Sequence, residues 1–152
     1  MTTAHDDTAR TWRDLADQLT PDQVAELEYC ESHQVPPGLC TPRNQLTVAR
    51  GMSRHNIIQR VLGDITPPPE AVEVYDWETW SEMGYGRMYT VWDRTLDDDY
   101  RVEIVGVQFD DGHTERSIFT TVPDEKMTAG HARQLAGLLI EAADELDRRR
   151  PA

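Results

Sequence analysis

The residues best suited to chemistry in this chain are two cysteines and a histidine, spaced Cys30-x2-His33-x6-Cys40. Thiolates and an imidazole are the donors of structural zinc sites, which close with four ligands. The fourth is missing locally, and only the fold could bring His55 or His5 to that position. The plainer reading is a cysteine at the end of a helix, a loop histidine and a second cysteine near a turn. Neither cysteine has a neighbouring base and orienting group, which a thiol nucleophile needs. The chain has no phosphate-cradling glycine loop and no serine or cysteine elbow. Asp97-Asp98-Asp99 and Asp110-Asp111 lack the spacing of a calcium loop and read as turn residues. No cofactor is implied, and the reading leans away from an enzyme.

Two further constellations could serve recognition. Gly51 to Gly63 resembles the turn and second helix of helix-turn-helix DNA binders, with Arg54, His55, Asn56 and Gln59 placed to meet base edges and phosphates. Between Ser32 and Gly63 there is no acid, and Arg43, Arg50, Arg54 and Arg60 make this the basic zone of the chain. Against DNA binding, Arg60 stands where an aliphatic residue is usually buried, and Thr47 where a small residue usually packs. The plainer alternative is an exposed amphipathic helix. The second constellation is aromatic: Trp77, Trp80, Tyr85, Tyr89 and Trp92. Such residues anchor interfaces, and they also fill the cores of small domains.

The elements that must position these residues are legible from periodicity. Arg101 to Phe109 is rich in β-branched residues and reads as a strand, Asp110-Asp111-Gly112-His113 as a tight turn, and Thr114 to Val122 as a returning strand. The apolar character of the first strand switches faces along its length, which predicts a bulge or a twist near Gly106. Gly86 to Thr95 reads as another strand, and Ala71 to Trp80 as a short strand or an irregular wrap. Thr128 is a good N-cap. After it, Ala132, Leu135, Leu138, Leu139, Ala142 and Leu146 form one apolar stripe at helical spacing.

Upstream, Thr8 to Gln18 can form a helix with Trp12, Leu15, Ala16 and Leu19 on one side. Thr20-Pro21-Asp22-Gln23 is a capping-box start for a second helix. Thr41-Pro42 opens a third, with Gly51 at its middle, either as one kinked helix or as two with Ser53 capping the second. Val35 to Gly38 reads as a helix break and Met1 to Asp7 as a disordered tail. Thr66-Pro67-Pro68-Pro69 reads as an extended spacer.

The 152 residues carry a net charge of −13. Residues 67–126 hold fifteen acids against five bases, so the acidity belongs to the sheet region. That field disfavours nucleic acid and anionic membranes and favours basic partners. No apolar run reaches the ~20 residues of a membrane span. The N-terminus lacks the basic start and apolar core of a signal peptide, and two cysteines suit reduced thiols, so a cytoplasmic protein is expected.

The pattern Val105-Gly106-Val107-Gln108-x2-Asp111-Gly112-x3-Arg116-x-Ile118 is followed by Met127-Thr128-x3-Ala132-Arg133-Gln134-Leu135-Ala136 and by Glu141 to Leu146. Together they resemble a module in small uncharacterised proteins of mycobacteria and related actinobacteria, and of their phages and prophages. Thr11 to Leu15 and Leu19 to Gln23 resemble a recurring start in the same group. The matches cover roughly half the chain. The resemblance implies a cytosolic accessory protein, host- or phage-encoded, and carries over no catalytic residue.

The sequence therefore predicts an α+β fold: a helical arm over residues 1–66, then over 67–152 a three- or four-stranded antiparallel sheet covered by a long C-terminal helix. The predicted function is a non-enzymatic interaction protein that contacts a protein partner, or itself, through Trp77, Trp80, Tyr85, Asp97, Asp98 and Asp99. The alternatives are a DNA-binding regulator using residues 43–62 and an acidic mimic of DNA.

Overall fold

The computed structural model describes residues 8–33, 41–80, 84–96, 100–123 and 126–149. The predicted tail at 1–7, the helix break at 35–38, Cys40, Asp97 to Asp99 and Arg150 lie outside the described residues. The fold is α+β, and the chain divides into two compact units between Asp64 and Ile65.

The first unit is helical. A 3-10 helix spans Trp12–Gln18, α1 spans Pro21–Ser32 and α2 spans Pro42–Leu62. The carboxylate of Asp14 accepts the backbone N–H groups of Arg10 and Thr11, which opens the 3-10 helix and holds that carboxyl below its ordinary pKa. The expected capping box forms at α1: Thr20 Oγ1 accepts from Gln23 N, and Gln23 Oε1 accepts from Thr20 N at 2.9 Å. Trp12, Leu15, Leu27 and Ala49 make the core, with Leu46 and Met52 packed against it. Glu31 joins the 3-10 helix to α1, accepting from the Trp12 indole at 2.7 Å and from Arg13 at 2.6 Å. Gly51 does not break α2, which runs as one helix of 21 residues through it.

The second unit is a four-stranded antiparallel meander in the order β1-β2-β3-β4, followed by α3, Ala129–Arg148. Its strands are β1 Glu73–Thr79, β2 Tyr85–Leu96, β3 Tyr100–Phe109 and β4 Thr114–Thr121. Gly112, at φ 88, makes the β3–β4 turn. Thr128 Oγ1 accepts from His131 N and caps α3 as predicted. The apolar stripe of α3 starts at Leu135 rather than Ala132, which is exposed. Leu135, Leu138, Leu139, Ala142 and Leu146 lie on Tyr89, Val91, Trp92, Val102, Ile104 and Ile118 of the sheet.

Directly paired residues share a sheet face, so the register sorts every strand residue. Tyr89 pairs with Gly106 and Gly106 with Arg116; Trp92 pairs with Ile104 and Ile104 with Ile118. These all belong to the face under α3. The bulge expected at Gly106 lies in β2 instead, between Thr90 and Trp92, and it brings Val91 and Trp92 into the same core. Gly106 has another purpose. A Cβ there would lie 2.1 Å from Cζ of Tyr89, whose fully buried ring occupies that space. The Tyr89 hydroxyl reaches Arg116 on β4, and Arg116 in turn pairs with Glu70 and donates to the carbonyl of Arg149 at 2.8 Å.

The proline run is not a free spacer. Ile65 O accepts from Arg87 Nη2 at 2.6 Å, Thr66 O accepts from Gln108 Nε2 at 2.9 Å, and Pro68 is buried. Residues 65–70 form a strap belonging to the sheet unit, ending on the Glu70–Arg116 ion pair. Arg87 itself is 7% exposed and lies 4.6 Å from the Trp77 ring centre. Gln108 Oε1 takes two of its N–H groups at 2.9 and 2.8 Å. Burial lowers the guanidinium pKa from its ordinary value.

Candidate protein-binding face

One face of the sheet is covered by α3, and the register places a second set of residues on the other. Phe109, Val107, Val105, Glu103 and Arg101 alternate onto it from β3. Their partners are Gly86, Met88, Thr90, Asp93 and Thr95 on β2, and Glu115, Ser117, Phe119 and Thr121 on β4. From β1 come Glu73, opposite Thr90, and Glu78, opposite Gly86. Tyr75 lies beside Glu73 and donates its hydroxyl to Glu73 Oε2 at 2.9 Å.

The middle of this face is apolar and only partly covered. Phe119 is 57% exposed, Tyr75 46% and Met88 39%, while Val105 and Val107 are half-buried between them. At one corner Phe109 is buried by Trp80, whose ring meets it edge-on at 6.5 Å, and by His113, whose ring stacks on it at 4.2 Å. The backbone N–H of His113 holds the Asp111 carboxyl below its ordinary pKa there. Around the apolar strip stand Glu73, Glu78, Asp93, Glu103 and Glu115. Arg101 is the single arginine or lysine among the described residues of these strands on this face. It bridges Glu103 at 3.0 Å and Asp93 at 3.5 Å, leaving the remaining acids to set the sign of the potential.

The residues predicted from sequence fall in different places. Trp77 is 1% exposed under Arg87 and cannot touch a partner, so that assignment is corrected: it is core. Trp80 and Tyr85 are half-buried, Trp80 at the corner of the open face just described. Asp97, Asp98 and Asp99 lie outside the described residues. Met88, Phe119, Val105 and Val107 were missed. The signal for Phe119 was its position, one residue out of step with Ile118, Thr120 and Val122.

The helix-turn-helix reading requires a turn at Gly51, and the chain has helix there. Of the four residues assigned to DNA, Arg54 is exposed, while His55 and Gln59 are half-buried. Asn56 is committed internally, donating to Gln18 O at 2.9 Å and to Gln23 Oε1 at 2.8 Å. It clamps the 3-10 helix to the start of α1. Ser53, read as a possible cap, is buried and donates to Gln18 Oε1. Beside this clamp an open groove of about 510 Å3 runs between Asp17–Thr20 and the side of α2 bearing Asn56, Gln59 and Arg60.

Cys30 is a half-buried free thiol on α1, and His33 is exposed, stacked on Tyr29 at 3.9 Å. Among the described residues, no group of three or more His, Cys, Asp or Glu side chains is placed to hold a metal ion. Nor is any helix among them long and apolar enough to cross a membrane. No protein-family model, curated protein or solved structure matches the chain, so the role of the open face rests on its own chemistry.

Proposed function

We propose that this is an interaction protein whose working surface is the open face of the sheet. Its partner is a protein surface rich in arginine and lysine around an apolar anchor. The observation that supports this is the one-sided cover of the sheet: α3 packs on one face, and the other presents Met88, Phe119 and Tyr75 within a rim of carboxylates. An apolar centre with a charged rim is the layout of a specific interface. The carboxylates steer a basic partner into encounter, and the aromatic and Met side chains supply area that is desolvated on docking.

The test is a capture from actinobacterial lysate, with and without nuclease, using the tagged chain and its Met88→Arg/Glu78→Arg variant. A stoichiometric partner is expected on the parent chain and lost from the variant. Once purified, that partner should bind the parent at least about tenfold more tightly than the variant, with affinity falling as salt rises. A partner held equally by both proteins would refute the reading. Enrichment that disappears with nuclease would also refute it, and would return attention to Arg54 and the exposed side of α2.

A further inference from the structure

The sheet has two edges, and they are built differently. β1 carries Glu73, Asp76 and Glu78 and is interrupted by an irregularity between Val74 and Trp77. Charge and bulge together protect an edge against pairing with another chain. β4 has no bulge, and its two charges, Glu115 and Arg116, lie side by side in its first half. It pairs with β3 without a register shift over its eight residues, and within the sheet it has no second strand neighbour. It contains no Pro or Lys, and its outer half exposes Phe119 and Thr120, followed by Thr121 and Val122.

We propose that β4 is a self-pairing edge, joining two copies of this chain into an eight-stranded sheet about a two-fold axis at Ile118. The argument is self-complementarity. An antiparallel pair places opposite residues on the same face, so the axis must pass through a residue position. With the axis at Ile118, Ser117 lies opposite Phe119, Arg116 opposite Thr120 and Glu115 opposite Thr121. The two charges of the strand lie in its first half, so each meets a threonine of the second copy and no like charges face one another. The half-exposed Phe119 ring gains a small serine as its neighbour and loses its exposure. This pairing is independent of what the open face binds, although the two open faces would become continuous across it.

The test measures the association state of the full chain by sedimentation velocity up to about 100 μM, since an association of this kind depends on concentration. A dimer is expected. Thr121→Glu, which sets a carboxylate against Glu115 of the second copy, should weaken the dimer about tenfold. Thr120→Glu, which sets one near Arg116, should leave it as tight or tighter despite the added negative charge. In a Cys30→Ala/Cys40→Ala background, the Ser117→Cys chain mixed with the Phe119→Cys chain should form a disulfide more readily than either alone. A monomer at the highest concentration would overturn the proposal. So would equal weakening by the two glutamates, or cross-linking indifferent to the mixture.

Discussion

Gly106→Ala should be the most damaging single-methyl change in the sheet unit, and the size of the effect can be worked out. The added Cβ would stand 2.1 Å from Tyr89 Cζ and 2.4 Å from both Cε1 and the hydroxyl oxygen. Carbon atoms pack at about 3.5–4 Å, so the ring must retreat by about 1.5 Å. It has nowhere to go: Tyr89 is 0% exposed within the cluster of Val91, Val102, Ile104 and Ala142. Forcing the ring aside costs about 1–3 kcal/mol as overpacking, and expelling it forfeits about 3–5 kcal/mol, as for an aromatic truncated in a core. Replacing glycine in a strand returns only about 0.5–1 kcal/mol. With the ring at the crowded end of the first range, or expelled, the net loss is about 2 kcal/mol, roughly a thirtyfold shift toward the unfolded state.

Urea unfolding reads this through the fluorescence of Trp77, Trp80 and Trp92 in a Trp12→Phe background, which silences the helical unit. The midpoint should fall with the slope unchanged. In a Tyr89→Ala background the same glycine change should cost almost nothing, a coupling that a double-mutant cycle isolates. An unchanged midpoint, or an equal loss in both backgrounds, would show that the ring is not seated on this glycine.

The opposite sign is expected at Gly51. It is exposed inside α2 with no side chain or neighbouring element within 4 Å of an added Cβ, so Gly51→Ala should stabilise the helical unit by about 0.5–1 kcal/mol, measured by urea unfolding of the chain that retains Trp12. The pH response of that unit should run through Glu31. Arg13, and then the Trp12 indole, hold its carboxyl below the ordinary 4.5. A depressed carboxyl contributes stability that is complete above the unfolded value and lost as pH falls through the lower folded value. The Trp12 indole N–H resonance should therefore shift below about pH 4.5 in the parent chain, and Glu31→Gln should remove that transition.

Much of the fold was readable because several signals agreed. Thr20 with Gln23, Thr128, the Asp110–His113 turn and the stripe from Leu135 to Leu146 each combine a local conformational preference with a periodic pattern. The strand over 73–79 was harder to read. Its irregularity between Val74 and Trp77 breaks the two-residue alternation on which strand recognition depends. β3 misled for a different reason. Both of its faces are partly buried, Val102 and Ile104 under α3, Phe109 under Trp80 and His113, so its apolar residues seem to change sides without any bulge. The open face could not be assembled from sequence, because Met88 and Phe119 meet only through the register of β2, β3 and β4. Trp77 was misplaced because an aromatic side chain anchors a core or an interface equally well. Arg87, twenty-one positions from its acceptor Gln108, decided which.

The strap over residues 65–70 also sets where the sheet unit can be detached. A fragment beginning at residue 67, where the prolines suggest a joint, would lack the carbonyls of Ile65 and Thr66. Arg87 and Gln108, both buried, would each keep a donor and lose its acceptor, at about 1–3 kcal/mol apiece and more for the guanidinium. That is a large part of the ~5–15 kcal/mol that holds a domain together. The smallest portable piece therefore includes Ile65. The proline run, with backbone angles already fixed, is the cheapest chain to lay across the end of the sheet. Residues that look like the seam between two modules are the first stitches of one of them.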